Sequence, residues 1–113
     1  QAFSILSGDD ALTLPFMSVG AEGVISVASN IIPRQLSRMV NSYATGKTAA
    51  ALKLHQQYYP MFRELFIETN PVPAKAALAM QGKCAEEYRL PLCKMSPENR
   101  KRLAKTLKSC GII

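Results

Sequence analysis

The sequence lacks any long run of apolar residues. Its longest run, at residues 23–28, has the length of a strand, whereas a helix that crosses a membrane needs about 20 apolar residues. It also lacks a basic segment followed by an apolar one, which is the pattern of a secretory leader. We therefore expect a cytoplasmic protein without a membrane segment.

The sequence has few residues that could hold a metal or form disulfides. Its three cysteines, Cys84, Cys93 and Cys110, include no Cys-x-x-Cys pair, and the single histidine, His55, is distant in sequence. A structural zinc site needs four closely grouped ligands. We expect reduced thiols, as in cytosolic proteins, and no metal site.

Negative charge is scarce: 8 Asp and Glu stand against 14 Lys and Arg, which gives a net charge of +6. Five of the basic residues lie near the end of the chain, at positions 100, 101, 102, 105 and 108. They could form a surface for nucleic acid, or the solvated face of a last helix whose dipole favours cations. No aromatic residues for stacking bases alternate with them, so we favour the helix face and expect no nucleic-acid partner.

Residues 1–46 have the pattern of two strand–helix pairs. The apolar segments 3–7 and 23–27 read as strands, and both are apolar on every side, as strands of a parallel sheet covered by helices are. A helix beginning near residues 11–13 tolerates Pro15 in its first turn, and Gly20 ends it. Asn30 and Pro33 are predicted to start the second helix.

Residues 47–113 are predicted to form helices joined by an extended turn at 70–73 and an extended linker at 89–92. Apolar residues spaced by three and four predict one long helix from about 51 to 65, with a kink or break at Pro60. A second helix is predicted at 73–81. Ser96 and Pro97 begin a last helix that carries Leu103 and Leu107.

Two strands are too few for a stable parallel sheet, so most of the sheet is missing from this sequence. Two βα units followed by helices suit the end of a (β/α)8 barrel. The predicted fold class is therefore α/β. Residues 1–46 would form the last two βα units of the barrel, and residues 47–113 a C-terminal helical subdomain.

Four segments together resemble the C-terminal portion of the dihydrodipicolinate synthases, which are pyruvate-dependent class I aldolases. They are Leu-Ser-Gly-Asp-Asp at 6–10, Gly-Val-Ile-Ser-Val at 23–27 with Asn30, Asn-Pro-Val-Pro-Ala-Lys at 70–75, and Arg-Leu-Pro-Leu at 89–92. The resemblance implies the condensation of pyruvate with L-aspartate 4-semialdehyde through a lysine Schiff base, in lysine biosynthesis. It implies no cofactor and a homotetramer for the full enzyme.

Related aldolases are the alternative. Sialic-acid lyases tend to have Asp-Glu in place of Asp9-Asp10 and a Gly-Ile-Gly-Ser-Thr-like strand in place of residues 23–27, so these segments favour the synthase. A 2-keto-3-deoxy sugar acid aldolase is a further sibling. Ala74 and the pair Cys93-Lys94 depart from the family pattern, but both positions lie in the helical extension.

None of the lysines follows an apolar strand, which is where a Schiff-base lysine of a barrel projects inward. We therefore expect no catalytic residue in this chain. The resemblance implies that the lysine and a proton-relay tyrosine lie upstream of residue 1. We also expect the chain to pair with that missing portion or to self-associate, and to be inactive alone.

The expected substrate-binding residues are Ile25, Gly8, Asp9 and Asp10. By resemblance, the main-chain carbonyl of Ile25 lies beside the reactive lysine and pyruvate, while its side chain packs in the barrel core. Gly8 ends a strand at the rim where barrel active sites form, and lacks a Cβ that would block substrate. Asp9 and Asp10 are candidates to contact the aldehyde, or to cap the next helix.

Overall fold

The computed structural model describes residues 3–113 as a mixed α/β chain. Its elements are β1 (Leu6–Ser7), α1 (Thr13–Ser18), β2 (Gly23–Val24), α2 (Pro33–Ala44), α3 (Thr48–Glu64), α4 (Val72–Met80) and α5 (Pro97–Ser109), with short 3-10 helices at Asp10–Leu12 and Ala28–Asn30. One compact unit ends at Tyr59, and a second runs from Pro60 to Ile113. The predicted division at 46/47 stays a prediction. No helix within residues 3–113 is both long and apolar enough to cross a membrane.

Strands β1 and β2 are parallel neighbours, with Leu6 opposite Gly23 and Ser7 opposite Val24. This confirms the predicted adjacency of the two segments. Each strand is two residues long, shorter than the predicted five, because within the described chain each has one strand neighbour to define its pairing.

The apolar faces of the two strands are largely exposed in this chain by itself, as follows for two strands without the rest of their sheet. Phe3 is 78% exposed and Ile25 is 70% exposed, and Ile5 and Leu6 are also exposed. Helix α1 contacts both strands and α2. Apolar strands of this kind are buried only when further strands and helices surround them.

The first helix begins as predicted. A 3-10 turn leads into α1 at Thr13, so Pro15 falls in the first turn, where its missing N–H costs little. Thr13, Leu14 and Met17 are buried. Gly20 follows with a φ of +108°, a conformation that L side chains rarely adopt, and the helix ends there.

Helix α2 has Pro33 at its start, but Asn30 does not cap it. The cap position is Ile32, without a side-chain bond, and the Asn30 amide donates instead to the Val27 carbonyl oxygen at 3.0 Å. The prediction failed because a 3-10 turn intervenes after β2, which places Asn30 too early for the helix start. Leu36 and Met39, three residues apart, are buried and mark the apolar face of this helix.

Helix α3 is continuous from Thr48 to Glu64 with Pro60 inside it, so the predicted break is wrong. Proline has a φ compatible with a helix and removes one backbone donor. The buried face continues on both sides of it, at Tyr58 and at Met61, so burial offsets the lost bond. The boundary between the two compact units falls within this helix.

The second unit, from Pro60 onward, is helical. Helices α4 and α5 contact each other, and α5 buries Leu103 and Leu107 as predicted. The Ser96 hydroxyl caps α5 by accepting from the Asn99 N–H at 3.3 Å, with Pro97 in the first turn. Of the three cysteines, Cys84 and Cys93 are exposed and Cys110 is buried.

Candidate active-site edge of the strand pair

The carboxyl ends of β1 and β2 lie side by side because the strands are parallel. Gly8, Asp9 and Asp10 follow β1, and Ile25 follows β2. We call residues 7–10 and 25–28 the carboxyl edge. The structure therefore brings all four predicted substrate-binding residues to one edge of the sheet, which is where α/β active sites form.

Ser7 and Thr13 fix the turn that contains Gly8. The Ser7 hydroxyl donates to the Asp9 carbonyl oxygen at 2.8 Å and accepts from the Asp9 N–H at 3.1 Å. The Thr13 hydroxyl donates to the same carbonyl at 3.3 Å. A Cβ built on Gly8 meets no heavy atom within 4 Å, so the space beside this residue is open.

Asp9 caps the 3-10 helix that follows it. Its carboxylate accepts from the Ala11 N–H at 2.7 Å, and the residue is exposed. The capping interpretation is thus confirmed for Asp9. An exposed carboxylate also remains accessible to a ligand, so its contact with the aldehyde stays a prediction.

Asp10 is 1% exposed and reaches across to the segment after β2. Its carboxylate accepts from the Ser26 hydroxyl, from the Val27 N–H at 3.1 Å and from the Ala28 N–H at 2.9 Å. Its carboxylate therefore binds the first N–H groups of the 3-10 helix Ala28–Asn30, and the predicted alternative that Asp10 caps the helix following it in sequence is wrong. The predicted contact of Asp10 with a substrate stays a prediction.

Ile25 is joined to β1 through its backbone. Its N–H donates to the Ser7 carbonyl oxygen at 2.8 Å. Its side chain, expected to pack in a core, is exposed in this chain. The role of its carbonyl in binding pyruvate stays a prediction.

Sequence reasoning missed two groups of polar bonds that shape this edge: those of buried Ser7 and Thr13 to the Asp9 backbone, and that of half-buried Ser26 to buried Asp10. The sequence contained a signal for them: a hydroxyl residue at the end of an apolar strand is unfavourable when buried, unless it forms a hydrogen bond. The sequence pattern alone did not show which partners they would find.

No lysine of the described residues lies on β1 or β2. Lys75, the one within a family motif, is on α4, and its Nζ lies 5.7 Å from the centroid of the Tyr88 ring. This cation–π contact suits a structural lysine. Within residues 3–113, no three His, Cys, Asp or Glu side chains are grouped to hold a metal ion.

Comparison with known proteins gives consistent matches. The model of the dihydrodipicolinate synthetase family matches residues 1–110. The 4-hydroxy-tetrahydrodipicolinate synthase of Aquifex aeolicus is 49% identical over 112 residues, which are 99% of this chain and 38% of the relative. That of Methanococcoides burtonii is 50% identical over 113 residues, which are 100% of this chain and 39% of the relative.

Solved structures give the same result. The dihydrodipicolinate synthase of Aquifex aeolicus matches with a TM-score of 0.95 and 47% identity, covering 99% of this chain and 38% of that one. The 4-hydroxy-tetrahydrodipicolinate synthase of Methylacidiphilum fumariolicum matches with a TM-score of 0.94 and 59% identity, covering 96% and 36%. The chain thus spans less than two fifths of the length of these relatives.

Proposed function

The chain belongs to the dihydrodipicolinate synthetase family, and we propose that it supplies the last two βα units and the helical extension of a 4-hydroxy-tetrahydrodipicolinate synthase. The complete enzyme would condense pyruvate with L-aspartate 4-semialdehyde in lysine and diaminopimelate biosynthesis. The observation that carries the proposal is the parallel pair β1–β2, whose carboxyl ends gather the family-motif residues at one edge.

The exposed apolar side chains of the strands support a barrel completed by further chain. Phe3, Ile5, Leu6 and Ile25 present a large apolar surface, which soluble proteins normally cover. Beside it, a groove of about 560 Å³ runs between β2 and α2 and has an apolar lining that includes Leu36. The remaining strands and helices of a (β/α)8 barrel would cover both.

The reactive lysine would come from that remaining part. In a Schiff base, the lysine nitrogen adds to the ketone carbon of pyruvate and water leaves to give the imine. The chain's own lysines are exposed or, for Lys75, half-buried on a helix. A nucleophilic lysine needs a desolvated position that holds its amine neutral, so the chain is expected to be inactive alone.

Within the site, Ile25 and Gly8 would contribute through the backbone. The Ile25 carbonyl would orient the lysine and pyruvate, and the open space beside Gly8 would admit substrate. Asp9, exposed at the same edge, would contact the aldehyde. The full enzyme would be a homotetramer without a cofactor, acting in the cytoplasm.

The test uses a completed barrel, defined as residues 1–113 joined behind the N-terminal portion of the Aquifex aeolicus synthase. Its reaction with pyruvate is measured against three aldehydes: aspartate 4-semialdehyde, N-acetylmannosamine and glyceraldehyde. We expect condensation with aspartate 4-semialdehyde above the others by at least about 100-fold in kcat/KM, since the wrong aldehyde leaves polar groups of the site unpaired. The parent synthase is the positive control.

Preference for N-acetylmannosamine would support a sialic-acid lyase, and preference for glyceraldehyde a sugar-acid aldolase. Absence of any reaction from a folded completed barrel, with the parent active, would contradict the proposal.

A further inference from the structure

Asp10 connects the two chain segments that form the carboxyl edge. Three consecutive residues after β2 donate to its carboxylate: Ser26 through its hydroxyl, and Val27 and Ala28 through their backbone N–H groups. The Ser26 hydroxyl oxygen accepts in turn from the Ser29 N–H at 2.8 Å. A buried carboxylate with this many donors is fixed in place, because charge-assisted hydrogen bonds are about twice as strong as neutral ones.

This arrangement holds the Ile25 carbonyl from both sides. That carbonyl belongs to the planar peptide unit joining Ile25 to Ser26, so the positions of these two residues determine where it points. On one side the Ile25 N–H is bonded to Ser7 at 2.8 Å, and on the other the Ser26 side chain is bonded to Asp10. Both anchors belong to the segment that begins with β1.

We propose that Asp10 is a positioning residue: it clamps residues 26–28 against the end of β1 and so holds the Ile25 carbonyl in the orientation that imine formation with pyruvate requires. The inference rests on the proposed function. It gives Asp10 a role through Ile25 and not through contact with a substrate, in keeping with its burial.

The chain contains a matched carboxylate at the other end of the strands. The Ser4 hydroxyl donates to Glu22 at 2.7 Å, in a serine–carboxylate bond of the same kind. This pair is exposed and lies at the amino ends of β1 and β2, away from Ile25. Glu22→Ala therefore removes a serine–carboxylate bond and leaves the bonds of Asp10 intact, which makes it the control.

The variants Asp10→Ala, Asp10→Asn and Glu22→Ala are made in the completed barrel. The rate at which borohydride traps the pyruvate imine is measured by mass, and the final amount of adduct counts the competent sites. Borohydride supplies the hydride that reduces the imine carbon to a stable secondary amine. Thermal unfolding of each variant is measured in parallel.

Asp10→Ala should slow imine formation per competent site by about 10- to 100-fold, since small misplacements of a positioning group carry penalties of this size. Asp10→Asn should recover most of the rate. Its amide oxygen can accept from Val27 and Ala28, and its NH₂ can donate to the Ser26 hydroxyl oxygen. Glu22→Ala should match the unsubstituted protein.

A different pattern would overturn the inference. If Asp10→Ala lowers the unfolding temperature but traps pyruvate at an unchanged rate per site, Asp10 is a structural cap only. If Asp10→Ala does not fold, Ser26→Ala takes its place, and an unchanged trapping rate in Ser26→Ala has the same meaning. Failure of the unsubstituted completed barrel to form the imine would contradict the proposed function instead.

Discussion

The two compact units of this chain differ in how much of the apolar surface of their main elements they leave exposed. In the unit that ends at Tyr59, the strands expose most of their large apolar side chains and bury a polar network at one edge. In the unit from Pro60 to Ile113, helices α4 and α5 pack together, and residues such as Leu103 and Leu107 are fully buried. Both units bury apolar residues, such as Met39 in the first, but the first also has two strands whose apolar faces are uncovered, as in part of a larger sheet.

The difference follows from backbone hydrogen bonding. A helix satisfies its own N–H and C=O groups and needs cover on one face, so a few helices suffice for a core. A strand of a parallel sheet needs neighbours on both sides and cover on both faces. The comparison teaches that a piece of a barrel can keep its local elements and its edge geometry while its strands remain uncovered.

The largest expected effect contrasts a core residue with a strand residue. Leu103→Ala should lower the free energy of unfolding by about 2–5 kcal/mol, because it removes a fully buried side chain. In this chain alone, Ile5→Ala should change it by less than about 0.5 kcal/mol, since Ile5 is exposed. Denaturant unfolding of each variant measures both values.

The same two variants are then compared in the completed barrel. There Ile5→Ala should lower the free energy of unfolding as much as Leu103→Ala, because the strand is covered. A large effect of Ile5→Ala in the chain alone would break the contrast between the units.

A smaller effect concerns the helix start in the second unit. Ser96→Ala removes the side-chain cap of α5 and should destabilise the chain by about 1 kcal/mol. Ser109, at the other end of α5, donates to the Thr106 carbonyl oxygen at 2.8 Å and is exposed. Ser109→Ala is the control and should cost only a few tenths of that amount. Equal effects of the two serines in thermal unfolding would contradict the assigned cap.

The smallest effect is the pH dependence of the ion pair between Arg100 and Glu86, whose closest atoms are 2.8 Å apart. Hydrogen bonds from Arg100 hold the pKa of the Glu86 carboxyl below its ordinary value of 4.5. A carboxyl with a lowered folded-state pKa stabilises the protein above the unfolded pKa, and that contribution disappears as the pH falls through the folded value. The pair therefore stabilises the second unit at neutral pH and not in acid.

Arg100→Gln should accordingly reduce stability by at most about 1 kcal/mol at pH 7, and by progressively less as the pH falls below 4.5, the ordinary pKa of the Glu86 carboxyl. Lys101→Gln removes the same charge from the adjacent exposed position and is the control. Urea unfolding at several pH values measures both. An Arg100→Gln deficit that persists unchanged into acid would show that Arg100 acts by packing and not through Glu86.

The sequence predicted the helices and the adjacency of the strands, because these depend on local signals. Pro33 and Pro97 mark helix starts, and Gly20 marks an end, through backbone preferences that operate within a few residues. Of the kink or break predicted at Pro60, the break is wrong, since the helix continues through it with buried Tyr58 and Met61 on either side, and the kink stays a prediction. The motif residues Gly8, Asp9, Asp10 and Ile25 could be placed at one edge from the strand order alone.

Partners across the edge could not be predicted. Capping of the helix that follows it was one of the two roles predicted for Asp10, but its carboxylate bonds to Ser26, Val27 and Ala28 instead. That choice depends on the register of two strands separated by a helix, which composition and periodicity do not encode. The same limit applied to Asn30, which the 3-10 turn after β2 moved away from its predicted cap position.

The most direct test of the central claim, that these strands border a reactive lysine supplied by the rest of a barrel, is to locate the pyruvate adduct. The completed barrel is treated with pyruvate and borohydride, digested, and its modified peptide identified by mass. The account predicts one modified lysine in the N-terminal portion and none among the eight lysines of this chain. Modification of a lysine within residues 1–113, with the N-terminal portion unmodified, would contradict it.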